Sequence, residues 1–177
     1  MDRKKRKVLF NPKKRKKLMD RKKLKKIMKK TCDLASKGID LGSGPFAAII
    51  TDVKGNIKAE GNNMVTKNND PTQHAEIVAI RNACSALKTY NLQGYTLFSS
   101  CEPCPMCLCA IYWSRINVVY YGNNREDAKK IGFDDSFFYD EISKDNKDRS
   151  IQMKQISNKH TIEHFDKWEH TKKKRKY

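Results

Sequence analysis

Two short stretches hold the residues that can do chemistry. One reads Asn69-Asp70-Pro71-Thr72-Gln73-His74-Ala75-Glu76, the other Ser100-Cys101-Glu102-Pro103-Cys104-Pro105-Met106-Cys107. Together they set a His-x-Glu ahead of a Pro-Cys-x-x-Cys. Zinc takes four tetrahedral nitrogen and sulfur ligands, and a catalytic zinc leaves one place for water. His74, Cys104 and Cys107 supply the other three, enough for one Zn²⁺ per subunit. Two thiolates two residues apart, at a helix start where proline is tolerated, can grip one ion. The metal makes the fourth-place water nucleophilic at neutral pH. Glu76 is too near His74 in the chain to be a convenient ligand. It is placed to take the water's proton and hand it to a leaving amine, as a general acid/base must.

Other readings of the same residues stay open at this point. A lone Cys-x-x-Cys is also a redox pair or half of a structural zinc site. Cys101, Cys104, Cys107 and Cys109 could form a cysteine-only site, but that leaves the His-x-Glu without a purpose. Cys32, Cys84, Cys101 and Cys109 are expected to be small buried hydrophobes, the default for free cysteine.

The elements that must position these groups can be read from periodicity. From Met19 the pattern is helical: Leu24, Ile27, Met28, Thr31 and Ala35 share a face, the lysines form the wet face, and Gly38 can cap the end. Phe46–Thr51 and Ile57–Val65 read as a hairpin around Asp52–Asn56. Asp70 or Thr72 could cap a helix running from Gln73 to Leu87, with His74 and Glu76 in its first turn. Tyr95–Ser99 is a strand leading into the cysteine turn, Cys104–Ser114 a helix, and Ile116–Tyr121 a strand. This strand–helix–strand order implies a parallel crossover. Lys129–Ser143 holds helical turns, Ile151–Ile156 reads as a fifth strand, and Ile162–Lys172 as a final amphipathic helix.

At 177 residues the chain is long enough for one sizeable core. No apolar run is long enough to span a bilayer. The formal charge of +18 looks like a nucleic-acid signature until it is mapped. Residues 1–30 carry 17 Lys/Arg and two Asp, and residues 172–176 add five cations. The remainder has 16 basic and 18 acidic residues. A near-neutral body suits a small neutral substrate, whereas a nucleic-acid enzyme would spread positive charge around its active face. Residues 1–18 are expected to be a basic disordered extension, and 19–177 a single domain with a C-terminal helix and basic tail. Lys4–Val8 resembles a nuclear-localisation signal, although basic runs match such patterns by chance. Two cysteines needed as thiolates and no secretory signal point to a reducing, cytoplasmic setting.

The motif order resembles that of zinc nucleobase deaminases. The element order resembles the cytidine-deaminase-like fold, an α/β three-layer arrangement with a mixed five-stranded sheet flanked by helices. Within it, several stretches look like bacterial-type guanine deaminase: Gly44-Pro45-Phe46, Asn69–Glu76, Cys101–Cys107, Ala110-Ile111-Tyr112-Trp113, Gly132-Phe133-Asp134-Asp135-Ser136-Phe137, and a Lys-rich tail ending in Tyr177. The resemblance implies hydrolysis of guanine to xanthine and ammonia, with Glu76 shuttling protons and Asp135 helping the exocyclic amine depart. It implies that Asn63 hydrogen-bonds the base, that Phe46 and Trp113 line the pocket, and that Tyr177 closes over it. It further implies a homodimer with exchanged C-terminal segments, so that Tyr177 would serve the partner's site. Cys109 stands where these relatives usually have glycine.

Three rivals make different predictions. A tRNA adenosine deaminase would share the zinc motifs and explain the basic ends. A guanosine or cytosine deaminase would share most of the pattern, but a tyrosine folded over the pocket leaves little room for ribose. A basic nucleic-acid-binding module with structural zinc would need a fourth protein ligand and would have no use for Glu76. Apart from non-specific contact through the tails, the expected partner is a nucleobase.

Overall fold

The computed structural model describes residues 19–158, 160–172, 174 and 175. The segment 1–18, including Lys4–Val8, and Tyr177 lie outside the described residues.

Helix α1 spans Arg21–Asp40, and the Asp20 carboxylate caps it by accepting the Lys23 N–H. Ile27, Thr31, Ala35 and Gly38 are its buried line, at the three- and four-residue spacing of one helical face. The expected stop at Gly38 moves on by one turn. Gly42, at φ +79°, takes the left-handed position that ends the helix, and the N–H of Ser43 returns to the Gly38 carbonyl.

Strands β1 (Ala47–Thr51) and β2 (Ile57–Asn62) form the expected antiparallel hairpin. The second strand stops three residues early, and Val65–Asn68 is instead a helical turn, α2. The Asn63 side-chain oxygen takes the Val65 N–H, a local bond that competes with further strand pairing. Next come α3 (Ala75–Leu87), β3 (Thr96–Cys101), α4 (Pro105–Trp113), β4 (Val118–Asn123) and α5 (Arg125–Lys130). Sheet order is β2-β1-β3-β4, with β3 and β4 parallel, as a crossover through α4 requires.

Alternation along the strands builds three layers. Ile49 and Phe98 point to one face, where Ile27, Leu24 and Met28 of α1 cover them. Ala48, Ile50 and Leu97 point to the other, beneath Ala75, Ala79 and Ala83 of α3 and Ile111 of α4. Small residues let α3 lie close to the sheet. At Gly61 of β2 an added Cβ would stand 2.5 Å from both the Ala75 oxygen and the Ala79 nitrogen, so only glycine fits.

Residues 136–177 form a second compact unit. Within it lie α6 (Ser136–Ser143), a short 3₁₀ turn (Asn146–Asp148) and α7 (His160–His170). The Arg149 guanidinium donates to the Glu141 and Ile142 carbonyls, and the Glu141 carboxylate accepts from Ser150 N–H and Oγ, tying the turn to α6. The fifth strand expected at 151–156 is not formed. Ile151 is 74% exposed and no strand pairs with this stretch, so the described sheet has four strands. Apolar alternation specifies a strand only where a sheet edge receives it.

The structure also corrects the cysteines. Cys101 is buried and Cys84 half-buried, but Cys32 and Cys109 are exposed. Both lie on two-faced helices, on the side turned away from the core.

Candidate metal centre and active site

The Asp70 carboxylate accepts from Thr72 N–H and Oγ and from the Gln73 amide, which folds the loop tightly before α3. The Met64 N–H bonds the Gln73 carbonyl and fixes the next residue, His74, against the end of β2. His74 itself, rather than Asp70 or Thr72, occupies the N-cap of α3. Cys104 holds the same position on α4, followed by Pro105 in the first turn. Two helix N-termini thus present their metal-binding side chains to one point.

The His74 ring nitrogen and the Cys104 and Cys107 sulfurs lie within 4.8 Å of one another. His74 Nδ1 and Cys104 Sγ are 3.5 Å apart. A tetrahedron with zinc–nitrogen and zinc–sulfur bonds of ordinary length has an edge of about 3.6 Å, so this donor set fits zinc. Cys101 is not in the cluster, because its thiol donates to the Asn124 carbonyl. The cysteine-only site is thereby excluded among the described residues.

Electrostatics leave one thiolate, that of Cys104, at this point. A hydrogen bond from Cys107, with help from His74, outweighs burial and brings the Cys104 thiol down to about 4. That thiolate, burial and Glu76 push Cys107 up. The bond to Cys104 raises the His74 ring. Helix N-termini favour such negative charge.

Glu76 sits in the first turn of α3 and is 6% exposed. Its Oε1 accepts from Ser99 Oγ at 3.1 Å, and its Oε2 from Cys107 Sγ at 3.4 Å. Burial is the main cause that raises its carboxyl pKa, the direction a proton shuttle needs. Ser99 is a contact of Glu76 that sequence reasoning missed. A serine inside the apolar strand Thr96–Cys101 carries no motif, and only the pairing of β3 against α3 gives it a role.

Asp135 is half-buried. Burial and the Cys104 charge raise its pKa against the pull of Arg125, which places it in the field of the metal ligands. It follows Gly132, at φ +91°, and a Lys129–Asp134 ion pair of 3.0 Å. The Asn63 side-chain oxygen is engaged with Val65, and its amide nitrogen has no partner among the described residues. Phe46 meets Phe133 edge-to-face at 4.9 Å. It also lines a cavity of about 200 Å³ with Pro45, Cys101, Asn123, Asp127 and Ile131. Trp113 is not brought to the corner: it is the last residue of α4, 66% exposed, about 13 Å along the axis from Cys104.

A family profile described as the cytidine and deoxycytidylate deaminase zinc-binding region matches residues 21–123. Guanine deaminase of Bacillus subtilis (strain 168) is 46% identical over 150 residues, 84% of this chain and 96% of that protein. An X-ray structure of guanine deaminase from Bacillus subtilis superposes with a TM-score of 0.84 at 44% identity, covering 90% of this chain and 99% of that one. More distantly, tRNA-specific adenosine deaminase of Haemophilus influenzae is 40% identical over 108 residues, 61% of this chain and 62% of that protein. The chain belongs to the guanine deaminases of the cytidine and deoxycytidylate deaminase family.

Proposed function

We infer that this protein hydrolyses guanine to xanthine and ammonia, with zinc held by His74, Cys104 and Cys107. When bound, the ion makes a water nucleophilic at neutral pH. The observation that carries the reading is Glu76, a buried carboxylate held at one oxygen by Ser99 and lying with the other 3.4 Å from the Cys107 sulfur of the ligand cluster. It takes a proton from the attacking water and delivers protons to the ring nitrogen and the departing amine. Asp135 receives the exocyclic amine. The unpartnered amide of Asn63 donates to the base, and Phe46 packs against its flat face. Water adds to the amine-bearing carbon and ammonia leaves, so atoms balance without an oxidant or reductant.

The protein acts as a homodimer in this reading. Trp113 is out of reach of the corner within one chain, so any pocket wall it forms belongs to a second copy. The apolar side chains of α6 and α7 are exposed and suit the same assembly. The thiol ligands suit a reducing compartment such as the cytoplasm.

The test is ammonia release by the zinc-loaded protein from guanine, guanosine, cytosine, adenine and a tRNA anticodon stem-loop, with Glu76→Ala as control. Release from guanine, lost in the control, is expected. Release from the stem-loop with guanine inert would overturn the reading.

A further inference from the structure

The first turn of α1 breaks a rule that the same chain obeys elsewhere. Helix α5 carries Glu126 and Asp127 in its first turn and Lys129 and Lys130 in its last, matching the helix dipole. Helix α1 opens on Arg21, Lys22 and Lys23, with no acidic residue in the turn. Three cations there oppose the dipole and weaken the helix locally.

Against these cations and the helix dipole stands a single carboxylate, that of Asp20 at the N-cap. Arg21, Lys22, Lys25 and Lys26 are exposed, share one arc of the helix, and form no ion pair with any described residue. Lys29 and Lys30, one turn on, pair with Asp33 and Glu60. General lysine richness does not explain the patch, because residues 31–171 carry 16 cations against 18 acids. The charge is concentrated on this turn and on the sequence leading into it, where residues 1–18 hold ten Lys/Arg and one Asp.

We propose that the exposed face of α1 formed by Arg21, Lys22, Lys25 and Lys26 is a sequence-independent binding surface for the phosphate backbone of nucleic acid. Side-chain charge and dipole sum to a positive potential there, which condensed phosphate compensates and isolated surface carboxylates do not. A membrane is the poorer fit. The apolar face of α1 is already buried against Ile49 and Phe98, so the helix has no apolar side to insert among headgroups. No large apolar residue is exposed between Arg21 and Lys30. The surface is separate from the metal ligands, so bound nucleic acid localises the enzyme and is not its substrate.

The test uses the full-length zinc-loaded protein and fluorescence anisotropy with a 20-nucleotide single-stranded RNA at several salt concentrations. Vesicles containing phosphatidylserine serve as the competing surface. Log affinity should fall linearly with log salt, and Arg21→Gln/Lys22→Gln/Lys25→Gln/Lys26→Gln should flatten that slope by about 3, at roughly 0.7–0.9 per phosphate contact. Guanine turnover should be unchanged. Lys22→Glu separates function from structure, since it should raise the thermal midpoint by about 1–3 °C while weakening RNA binding. Absence of salt-dependent RNA binding, an unchanged slope in the quadruple variant, or binding to vesicles alone would each overturn the proposal.

Discussion

The unit ending at Asp135 and the unit beginning at Ser136 treat apolar side chains in opposite ways. In the first, Ile49, Ile50, Leu97 and Phe98 are wholly shielded from solvent. In the second, Phe137, Phe138, Ile142, Phe165 and Trp168 are all exposed, and neither helix has a buried residue. The first unit closes its own core and uses the resulting rigidity to hold His74, Glu76, Cys104 and Cys107. The second is joined mainly by polar bonds, such as those of Glu141 and Arg149, and presents an apolar surface that a second copy would cover. The candidate site therefore lies where burial is complete, and the exposed apolar side chains lie where it is not.

The strongest way to test that division is to alter the buried Glu76. Glu76→Gln keeps the shape and removes the base, so kcat should fall by about 10²–10⁴-fold while zinc content by elemental analysis stays near one per chain. Cys104→Ser should instead lose the zinc. If Glu76→Gln kept its rate, the corner would not be the catalytic centre.

A matched pair of isoleucines sharpens the contrast. Ile49→Ala empties a fully buried position between β1 and α1 and should cost about 2–5 kcal/mol in chemical denaturation. Ile151→Ala, at a site 74% exposed, should stay within about 0.5 kcal/mol. A large loss at Ile151 would mean that a second copy buries it. Phe165→Glu/Trp168→Glu on α7 addresses this directly. Sedimentation should shift from dimer toward monomer, while the thermal midpoint at low protein concentration changes little.

The same division explains what could be read from the chain alone. The ligands and Glu76 were legible because zinc chemistry fixes both residue type and spacing, and the helix and strand periods around them agree. Ser99 was not legible, since its role depends on which strand lies beside α3. The boundaries at Asn63 and Gly38 moved because one side-chain bond and one left-handed glycine outweighed the apolar period. Cys32 and Cys109 were misplaced because residue type says little about which side of a two-faced helix a cysteine takes. The fifth strand failed for a broader reason: local alternation at 151–156 is real, but strands form by pairing, and no edge receives this one.

The smallest effect concerns the turn that joins β1 to β2, at the polar edge of the first unit. The Asp52 carboxylate accepts from Lys54 N–H, Asn56 N–H and the Asn56 amide, and pairs with Lys58 at 3.2 Å. Slight burial works against the charged form, but these bonds outweigh it and hold the pKa well below the usual carboxylate range. A depressed pKa means that the unfolded chain takes up the proton first as pH falls. The stabilisation from Asp52 is therefore complete above about pH 5 and is lost progressively below it. Asp52→Asn should lower stability at pH 7 by no more than about 1 kcal/mol, since the site is near the surface. The difference in thermal midpoint between the two proteins should shrink as pH falls from about 5 to 2. A difference independent of pH would show that the turn depends on its shape rather than on the charge of Asp52.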